Sequence, residues 1–338
     1  MKTILSLSAL LITLTLTAQS NTATWYLNNT SGNGIQSPTS VASGNYSTAM
    51  GYNTIADGLT STAMGKNTIA SGDYSTAMNF ETTASGEFST AVGENTTASG
   101  NSSTAMGYFT KASGVYSTAM GRSTKASGIS SFALGYRTTA SGHQSISAGN
   151  SSIASAGYST SIGYGSVARD FASVVIGQYN SSGSSVTNNA TSFNTANTAF
   201  VIGNGADSSN KSDAFKVMFN GDTTVSNDLT VSGDVVISSD ARLKSNIVSL
   251  GSTLPKLLQI DGKTYTMKKD ENKKQKIGVL AQDIEKVFPE LVSESNGVKS
   301  VNYQGLVPVL INALKEQDSK MKEQEARIER LEKLLLNS

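Results

Sequence analysis

The sequence predicts a mainly β protein, in which a solenoid of short strands leads into a β-rich neck and a small α/β domain ending in a coiled-coil helix. Three observations support this fold class. A fourteen-residue pattern repeats about ten times between residues 42 and 181. Two short strand-like runs, Phe200 to Gly203 and Ala214 to Phe219, follow in the region 182–238, and apolar and polar residues alternate from Gly221 to Ile237. A seven-residue apolar period marks the last part of the chain. A short period of this regularity indicates that each repeat is one structural turn packed between its neighbours.

The repeat units contain two glycines each, which argues against helices. Glycine recurs at the third and tenth positions of the unit, and each internal glycine destabilises a helix by about 1 kcal/mol. We therefore expect two short strands per unit, separated by glycine turns. At the tenth position only Asn79 replaces glycine. Because asparagine tolerates a positive φ, we expect a left-handed backbone conformation at this position.

The ninth position of the unit is always apolar, so we predict that it forms the core as one continuous inner ladder. Ordering the backbone costs roughly 1–2 kcal/mol per residue, whereas burying one such side chain contributes only about 1.5–3 kcal/mol. A single thin coil therefore lacks sufficient core, and we expect the chain to associate with copies of itself. The ladder consists of Met50, Met64, Met78, Val92, Met106, Met120, Leu134, Ala148, Ile162 and Ile176.

The repeat also resembles a known family. Units such as Ser47-Thr48-Ala49-Met50-Gly51 followed by Ala56-Asp57-Gly58 resemble the head repeats of trimeric autotransporter adhesins. The resemblance implies a left-handed parallel β-roll, a homotrimer and often a binding role at a cell surface. Ala156 and Asp170 replace the third-position glycine in the last units, so we expect the roll to change shape near Ala168.

The N-terminal region is predicted to be a secretory signal peptide over residues 1–19. Lys2 precedes an apolar run from Ile4 to Leu16, which is too short for a membrane anchor. A buried N-terminal strand is the alternative. Residues 20–41 are expected to cap the roll, with the aromatic pair Trp25 and Tyr26 covering the first coil or binding a ligand. We expect a secreted or cell-surface protein without membrane insertion, and the absence of cysteine excludes disulfides.

Composition limits the expected partners. Only 15% of the residues are charged and the net charge is +1, which gives no electrostatic reason to expect nucleic acid or an anionic membrane as a partner. His143 is the only histidine and has no cysteine partner, so we expect no metal and no cofactor. Threonines recur at the thirteenth position from Thr54 to Thr138. We interpret them as β-favouring surface residues, with an ice- or polysaccharide-binding face as the alternative.

Three C-terminal stretches indicate a second kind of domain: Ser239 to Ile247, Gly278 to Val292 and Val301 to Leu310. Taken alone, the first is an ordinary helix start, in which Ser239 or Asp240 caps a turn. In this order and spacing, the three stretches resemble the endosialidase-type intramolecular chaperone domain of phage tail spikes and fibres, over residues 239–338. The resemblance implies a domain that trimerises, helps the preceding shaft to assemble and often cuts itself off.

The same resemblance implies a cut between Ser238 and Ser239, with Ser239 as nucleophile and Lys244 as general base. A lysine can accept the serine proton only as a neutral amine, which burial favours. Five residues of helix would rotate Lys244 roughly 140° away from Ser239, so we expect Ser239 to precede the helix and bend back. Asp240 and Arg242 also match the motif, and we expect them to be ion-pair or capping groups. Asn246 matches it as well, as a candidate oxyanion donor.

The end of the chain, from about residue 308 to 337, predicts a three-stranded coiled coil. Two glutamines in its seam favour a trimer over the alternative of a single solvated helix, because three symmetry-related amides can pair with one another. One seam contains Leu314, Met321, Ile328 and Leu335, and the second Leu310, Gln317, Gln324 and Leu331.

Together these features predict a secreted or surface homotrimeric, adhesin-like fibre, with a host-surface, matrix or glycan ligand as a candidate partner. Its C-terminal intramolecular chaperone drives trimerisation and cuts itself once, so any enzymatic activity is at most single-turnover autoproteolysis by a serine-lysine peptidase. The alternative is a non-cleaving trimeric module that binds a glycan, matrix or ice. A glycan-degrading spike is disfavoured, because no paired carboxylates suited to hydrolysis occur before Ser239.

Overall fold

The computed structural model describes residues 26–28, 34–181, 183, 186–268, 270–295 and 297–336. The chain divides into two compact units, with the boundary between Ser232 and Gly233. The predicted signal peptide over residues 1–19 and Trp25 lie outside the described residues.

The first unit is a parallel β-solenoid of about ten turns. Each turn contributes one five-residue strand to a long-strand sheet, and the register between neighbours is fourteen residues, as in Thr90 beside Thr104. These strands are β4 (Thr48–Tyr52), β6 (Thr62–Lys66), β8 (Thr76–Phe80), β10 (Thr90–Glu94), β12 (Thr104–Tyr108), β14 (Thr118–Arg122), β16 (Phe132–Tyr136), β18 (Ile146–Asn150), β20 (Thr160–Tyr164) and β22 (Val174–Gln178).

Each turn also contributes a two-residue strand to a second, ten-stranded parallel sheet. The two strands per repeat unit predicted from the glycine spacing are therefore present. The short strands are β3 (Val41–Ala42), β5 (Ile55–Ala56), β7 (Ile69–Ala70), β9 (Thr83–Ala84), β11 (Thr97–Ala98), β13 (Lys111–Ala112), β15 (Lys125–Ala126), β17 (Thr139–Ala140), β19 (Ile153–Ala154) and β21 (Val167–Ala168).

The long-strand sheet continues beyond the repeat at both ends. Strands β1 (Tyr26–Asn28) and β2 (Gly34–Gln36) pair with each other antiparallel, and β2 lies beside β4. At the other end, β23 (Thr198–Asn204) runs parallel to β22 and is followed by antiparallel β24 (Asp213–Met218) and β25 (Thr223–Val225). Three strands after residue 181 thus extend the sheet of the solenoid, whereas residues 226–238, which the alternating pattern predicted to be strand-like, form no strand.

The interior of the solenoid is lined by small side chains. The alanines at the first position, such as Ala98, and at the eighth, such as Ala105, are 0% exposed. The ninth position is only partly covered, and Met106 is 38% exposed. The prediction that the ninth position forms the inner ladder is therefore wrong. Successive side chains of a strand point to opposite faces, so the residue after a buried alanine points outward.

The threonine column at the thirteenth position is also inside. Thr96, Thr110 and the other threonines from Thr54 to Thr138 are at most 1% exposed, so the prediction that they lie on the surface is wrong. They cannot contact ice or a crystalline polysaccharide. Serines at the sixth position, such as Ser103, are equally buried. Many of these hydroxyls have no hydrogen-bond partner among the described residues, including those of Thr110 and Ser103.

Each coil consists of two similar seven-residue halves. Non-glycine residues with positive φ recur at the fifth position, as at Tyr46 (58°), and at the twelfth, as at Asn53 (53°). In each half a left-handed residue is followed by a buried hydroxyl, an outward residue and a buried alanine, as in Tyr46 to Ala49. Sequence analysis missed this half-period, because the left-handed positions vary in residue type.

The two glycine columns are required by close stacking of the coils. A Cβ on Gly107 would lie 2.0 Å from the carbonyl oxygen of Gly121, and one on Gly100 would lie 2.1 Å from that of Gly114. Gly107 also has a φ of 124°, and Asn79 in the same column has a φ of 88°. The positive φ predicted for the tenth position is confirmed, and backbone crowding provides a second reason for glycine.

The regular pattern ends near Ala168, as predicted. Buried polar side chains occupy the interior there. Asp170 is fully buried, and its carboxylate accepts hydrogen bonds from the backbone N–H of Thr187 (2.6 Å) and Thr198 (2.8 Å). The buried Asn180 side chain accepts from the N–H of Val167 (2.8 Å) and donates to its carbonyl (3.0 Å). These bonds satisfy backbone groups of β21, of the segment that follows the last coil and of the start of β23.

The second unit has a small core of Ile284, Phe288 and Val309. Glu316 joins two of its helices, because its carboxylate accepts from the Ser252 hydroxyl (2.8 Å) and the Thr253 and Leu254 backbone N–H groups. These bonds lower the pKa of Glu316. The elements are a 3-10 turn (Ala241–Leu243), α1 (Leu254–Leu257), β26 (Lys263–Thr266), β27 (Gln275–Gly278), α2 (Ala281–Val287), a 3-10 turn (Pro289–Leu291), β28 (Val292–Ser295), β29 (Val298–Val301), a 3-10 turn (Tyr303–Gly305) and α3 (Leu306–Leu336).

Alanine substitutions separate the two reasons for glycine. Gly107→Ala introduces both crowding and a strained φ, and we expect a loss of roughly 3 kcal/mol or more in the free energy of unfolding. Gly100→Ala introduces crowding alone and should cost about 1–3 kcal/mol. Gly221 has a φ of 93° and open space around its Cβ position, so Gly221→Ala should cost only about 1–2 kcal/mol. Thermal unfolding followed by circular dichroism measures all three. Equal losses would contradict the stacking argument.

Replacing a buried threonine by valine tests the interior hydroxyl columns. Thr110→Val keeps the side-chain shape and removes an unpaired buried hydroxyl. We therefore expect a raised melting temperature and a gain of about 1–2 kcal/mol in the free energy of unfolding. Thr104→Val, at the partly exposed seventh position, is the matched control and should change the melting temperature little. A clear loss of stability in Thr110→Val alone would mean that the hydroxyl is hydrogen-bonded in solution.

Candidate self-cleavage site

The structure brings the predicted nucleophile and base together. Ser239 precedes the 3-10 turn Ala241–Leu243, and Lys244 follows it. The Lys244 Nζ donates a hydrogen bond to the Ser239 Oγ at 2.7 Å. Because the turn is short, the chain reverses enough for the two side chains to meet across it.

Asp240 holds this turn. Its carboxylate caps the turn by accepting from the backbone N–H of Arg242 (2.8 Å), and it also accepts from the Arg242 Nη2 (2.6 Å) and Nε (3.1 Å). The bonds from Arg242 lower the pKa of Asp240, and those to Asp240 raise the pKa of Arg242. Both side chains are exposed, so the pair contributes little stability. Its effect is geometric, because it fixes the turn that separates Ser239 from Lys244.

Asn246 has a backbone role in the same motif. Its φ is 53°, in the left-handed region where asparagine is several-fold enriched over other non-glycine residues. This conformation accounts for asparagine at the position through the backbone alone. Its predicted role as an oxyanion donor stays a prediction.

The surroundings of the site are uncovered within one chain. Ser239 and Lys244 are exposed, as are all residues from 220 to 252. This segment carries large apolar side chains that single soluble chains seldom leave in water, including Val236 (87% exposed) and Val248 (84%). The closed pocket that would favour a neutral lysine is thus not built by one copy of the chain.

Helix α3 presents a second uncovered apolar surface. Val309 and Ala313 are buried against the C-terminal unit, whereas Leu314 on the predicted seam is 71% exposed. Residues 317–336 are all exposed, including the seam residues Met321 and Ile328. Most helical stability in proteins comes from packing of an amphipathic face, which this part of α3 lacks within one chain. The partly exposed ninth position of the solenoid forms a third apolar surface.

His143 and possible metal or membrane sites were the other features considered from the sequence. His143 is exposed, and its ring lies edge-on to Tyr158 with centroids 5.7 Å apart. In the described ranges no three His, Cys, Asp or Glu side chains come close enough to hold a metal ion. None of the helices described here is long and apolar enough to span a membrane.

Sequence analysis also missed an outward column at the eleventh position, where each long strand ends. Aromatic residues occupy it in alternate coils, at Tyr52, Phe80, Tyr108, Tyr136 and Tyr164. A search for a 28-residue period at each position of the repeat unit would have found it.

A parallel solenoid followed by a small α/β unit with a serine-lysine pair defines a two-part architecture, and each part matches a known family. The YadA head domain repeat matches residues 38–54, 56–78, 84–110, 112–138 and 140–166, and the chaperone of endosialidase matches residues 239–293. The chain therefore combines YadA-type head repeats with an endosialidase-type chaperone domain, as predicted. The match ends before the third predicted stretch at residues 301–310. None of the curated proteins compared with the chain matched it.

These matches support a trimeric, adhesin-like fibre with a chaperone domain. The head repeats also indicate a surface or extracellular protein.

Proposed function

We propose that the protein is a secreted homotrimeric surface fibre whose C-terminal domain drives assembly and then cuts the chain once between Ser238 and Ser239. The observation that carries the proposal is the 2.7 Å contact between the Lys244 Nζ and the Ser239 Oγ, inside the segment that matches the chaperone family. Export through the predicted signal peptide at residues 1–19 is part of the proposal, and the head repeats support it.

The uncovered apolar surfaces support assembly into a trimer. The ninth-position column, the segment from 220 to 252 and the seam of α3 all expose apolar side chains in one chain. Covering them gives self-association its hydrophobic driving force. The two families imply self-association as a trimer, and three copies of Gln317 and of Gln324 satisfy one another in a three-stranded seam.

The cleavage chemistry requires the observed hydrogen bond to reverse. In the structure the Lys244 Nζ donates to the Ser239 Oγ. Burial of the exposed segment during assembly removes water from the amine and favours its neutral form, which accepts the hydroxyl proton instead. Cleavage is thereby delayed until the copies have assembled.

The proposed reaction then has two steps. The Ser239 Oγ attacks the carbonyl carbon of Ser238 while Lys244 takes the hydroxyl proton. The bond from that carbon to the Ser239 nitrogen breaks, and the nitrogen receives the proton from Lys244. Water hydrolyses the resulting ester, which leaves a carboxylate on Ser238 and restores the Ser239 hydroxyl. Asn246 is the proposed donor to the oxyanion.

The alternative is a trimeric binding module in which the C-terminal domain stays attached. The exposure of Ser239 and Lys244 in one chain favours it, because one chain does not form the closed pocket that general-base catalysis by a lysine requires.

Substitutions at the pair test self-cleavage. We expect the wild-type protein to release a fragment of residues 239–338, detected by intact mass spectrometry. Ser239→Ala and Lys244→Ala should abolish release, because each removes one reacting group. Lys244→Arg should abolish it too, since arginine keeps the charge and the hydrogen bond but cannot act as a base. Ser245→Ala is the matched control and should cleave normally. Intact wild-type trimer would favour the non-cleaving alternative, and cleavage in Lys244→Arg would exclude Lys244 as the base.

Charges in the α3 seam test assembly. The double variant Leu314→Asp, Ile328→Asp places six carboxylates in the core of a trimer, so we expect monomers at micromolar concentration and no cleavage. Ser319→Asp, on the opposite face of the helix, should leave the trimer intact. Sedimentation velocity measures the oligomeric state. A double variant that still forms trimers would show that α3 is not the assembly seam.

A further inference from the structure

The ionisable residues of the roll are divided along its length. Five acidic residues lie between Asp57 and Glu94, and no aspartate or glutamate follows until Asp170. The three coils between residues 98 and 139 contain four basic residues and no acidic one. The basic residues are Lys111, Arg122, Lys125 and Arg137.

The topology brings these four residues to one edge of the roll. Arg122 ends the long strand β14, Arg137 directly follows β16, and Lys111 and Lys125 begin the short strands β13 and β15. All four therefore lie at or beside the turn between the two sheets, in coils about 4.8 Å apart. These four residues, together with Tyr108 and Tyr136, form a surface that we call the basic edge.

Aromatic rings hold the guanidinium groups of the basic edge. Arg122 lies between the two rings, with its Cζ 5.6 Å from the Tyr108 centroid and 5.4 Å from the Tyr136 centroid. The Cζ of Arg137 lies 5.3 Å from the same Tyr136 ring. Stacking occupies the faces of a guanidinium and leaves its N–H edges free to bind carboxylate or sulfate oxygens.

The four basic residues of the basic edge form no ion pair with the part of the chain that the structure describes. Lys111 lies directly beside Lys125 in the register of the short-strand sheet, and like charges in such a pair are destabilising. Among the described residues, no carboxylate forms an ion pair with any of the four. An in-register trimer, as proposed above, brings together three copies of the same coils and adds no acid at this level.

We propose that the basic edge binds a linear anionic polysaccharide that carries carboxylate or sulfate groups. The proposal rests on the trimeric fibre proposed above. Cations occur in three successive coils along this edge, about 4.8 Å apart, which fits an extended polyanion. Arg122 lies over the ring of Tyr108, and Arg122 and Arg137 lie over that of Tyr136, which limits the use of these rings as a stacking platform for the bases of a nucleic acid.

Binding to the full-length protein tests the proposal, with heparin as the sulfated probe, hyaluronan as the carboxylated probe, and neutral dextran and single-stranded DNA as comparisons. We expect heparin or hyaluronan to bind, more weakly as salt rises. The quadruple variant Lys111→Ser, Arg122→Ser, Lys125→Ser, Arg137→Ser should lose roughly tenfold or more in affinity. Lys66→Ser is the matched control, because Lys66 occupies the eleventh position 5.6 Å from the Phe80 ring but lies among the acidic coils. It should bind within about twofold of wild type.

The outcomes separate the two proposals. Binding of heparin alone identifies sulfate as the recognised group, and binding of both probes shows that carboxylate suffices. Equal affinity of the quadruple variant and wild type, DNA binding as tight as that of the polysaccharides, or no binding by a confirmed trimer would each overturn the proposal. Light scattering on the same samples reports the oligomeric state, so a monomeric sample counts against the proposed fibre instead.

Discussion

The structure of the solenoid depends on one constraint: its coils stack with backbone directly on backbone. At the third and tenth positions the carbonyl oxygen of the next coil lies about 2 Å from where a Cβ would be, as at Gly100 and Gly107. Each coil is fourteen residues long, so the interior that it encloses is narrow and is lined mainly by alanine, serine and threonine. The stack cannot widen its core to gain stability. Its larger apolar side chains, such as Met106, are therefore placed outside.

This constraint leaves a single chain with little apolar core. Alanine buries little apolar area, and the serine and threonine columns contribute hydroxyls that lack partners among the described residues. Backbone hydrogen bonds between coils satisfy the peptide groups but add only a modest net free energy each. The large apolar side chains contribute fully only when a second surface covers them. In the trimer proposed above, burial between copies takes the place of burial within one chain.

The same constraint sets what could be predicted from sequence. Glycine and alanine recur at fixed positions in the sequence. Their spacing predicts the period, the two strands per unit, the end of the regular pattern and the positive φ at the tenth position. The side of the strand that faces inward does not. Ala105 and Met106 are adjacent and both apolar, so hydrophobicity alone favours burying the larger one, whereas the width of the coil buries the smaller. Thr110 was predicted to lie on the surface, whereas its small side chain fits inside the narrow coil. The fifth and twelfth positions were missed because Tyr46 and Asn53 share a backbone conformation and no side-chain property.

At the candidate cleavage site, motif resemblance identified Ser239 and Lys244, and the structure adds how they meet. Asp240 caps the turn between them and binds Arg242, so the approach of the two reacting groups is fixed by local contacts within a few residues. Assembly is therefore not needed to bring serine and lysine together. What one chain does not supply is cover, because residues 220–252 are all exposed. The geometry of the pair is thus encoded locally, and its electrostatic environment is left to the other copies. In the function proposed above, a division of this kind keeps a preformed pair inactive until assembly changes the solvation of the amine, so that cleavage follows completion of the fold.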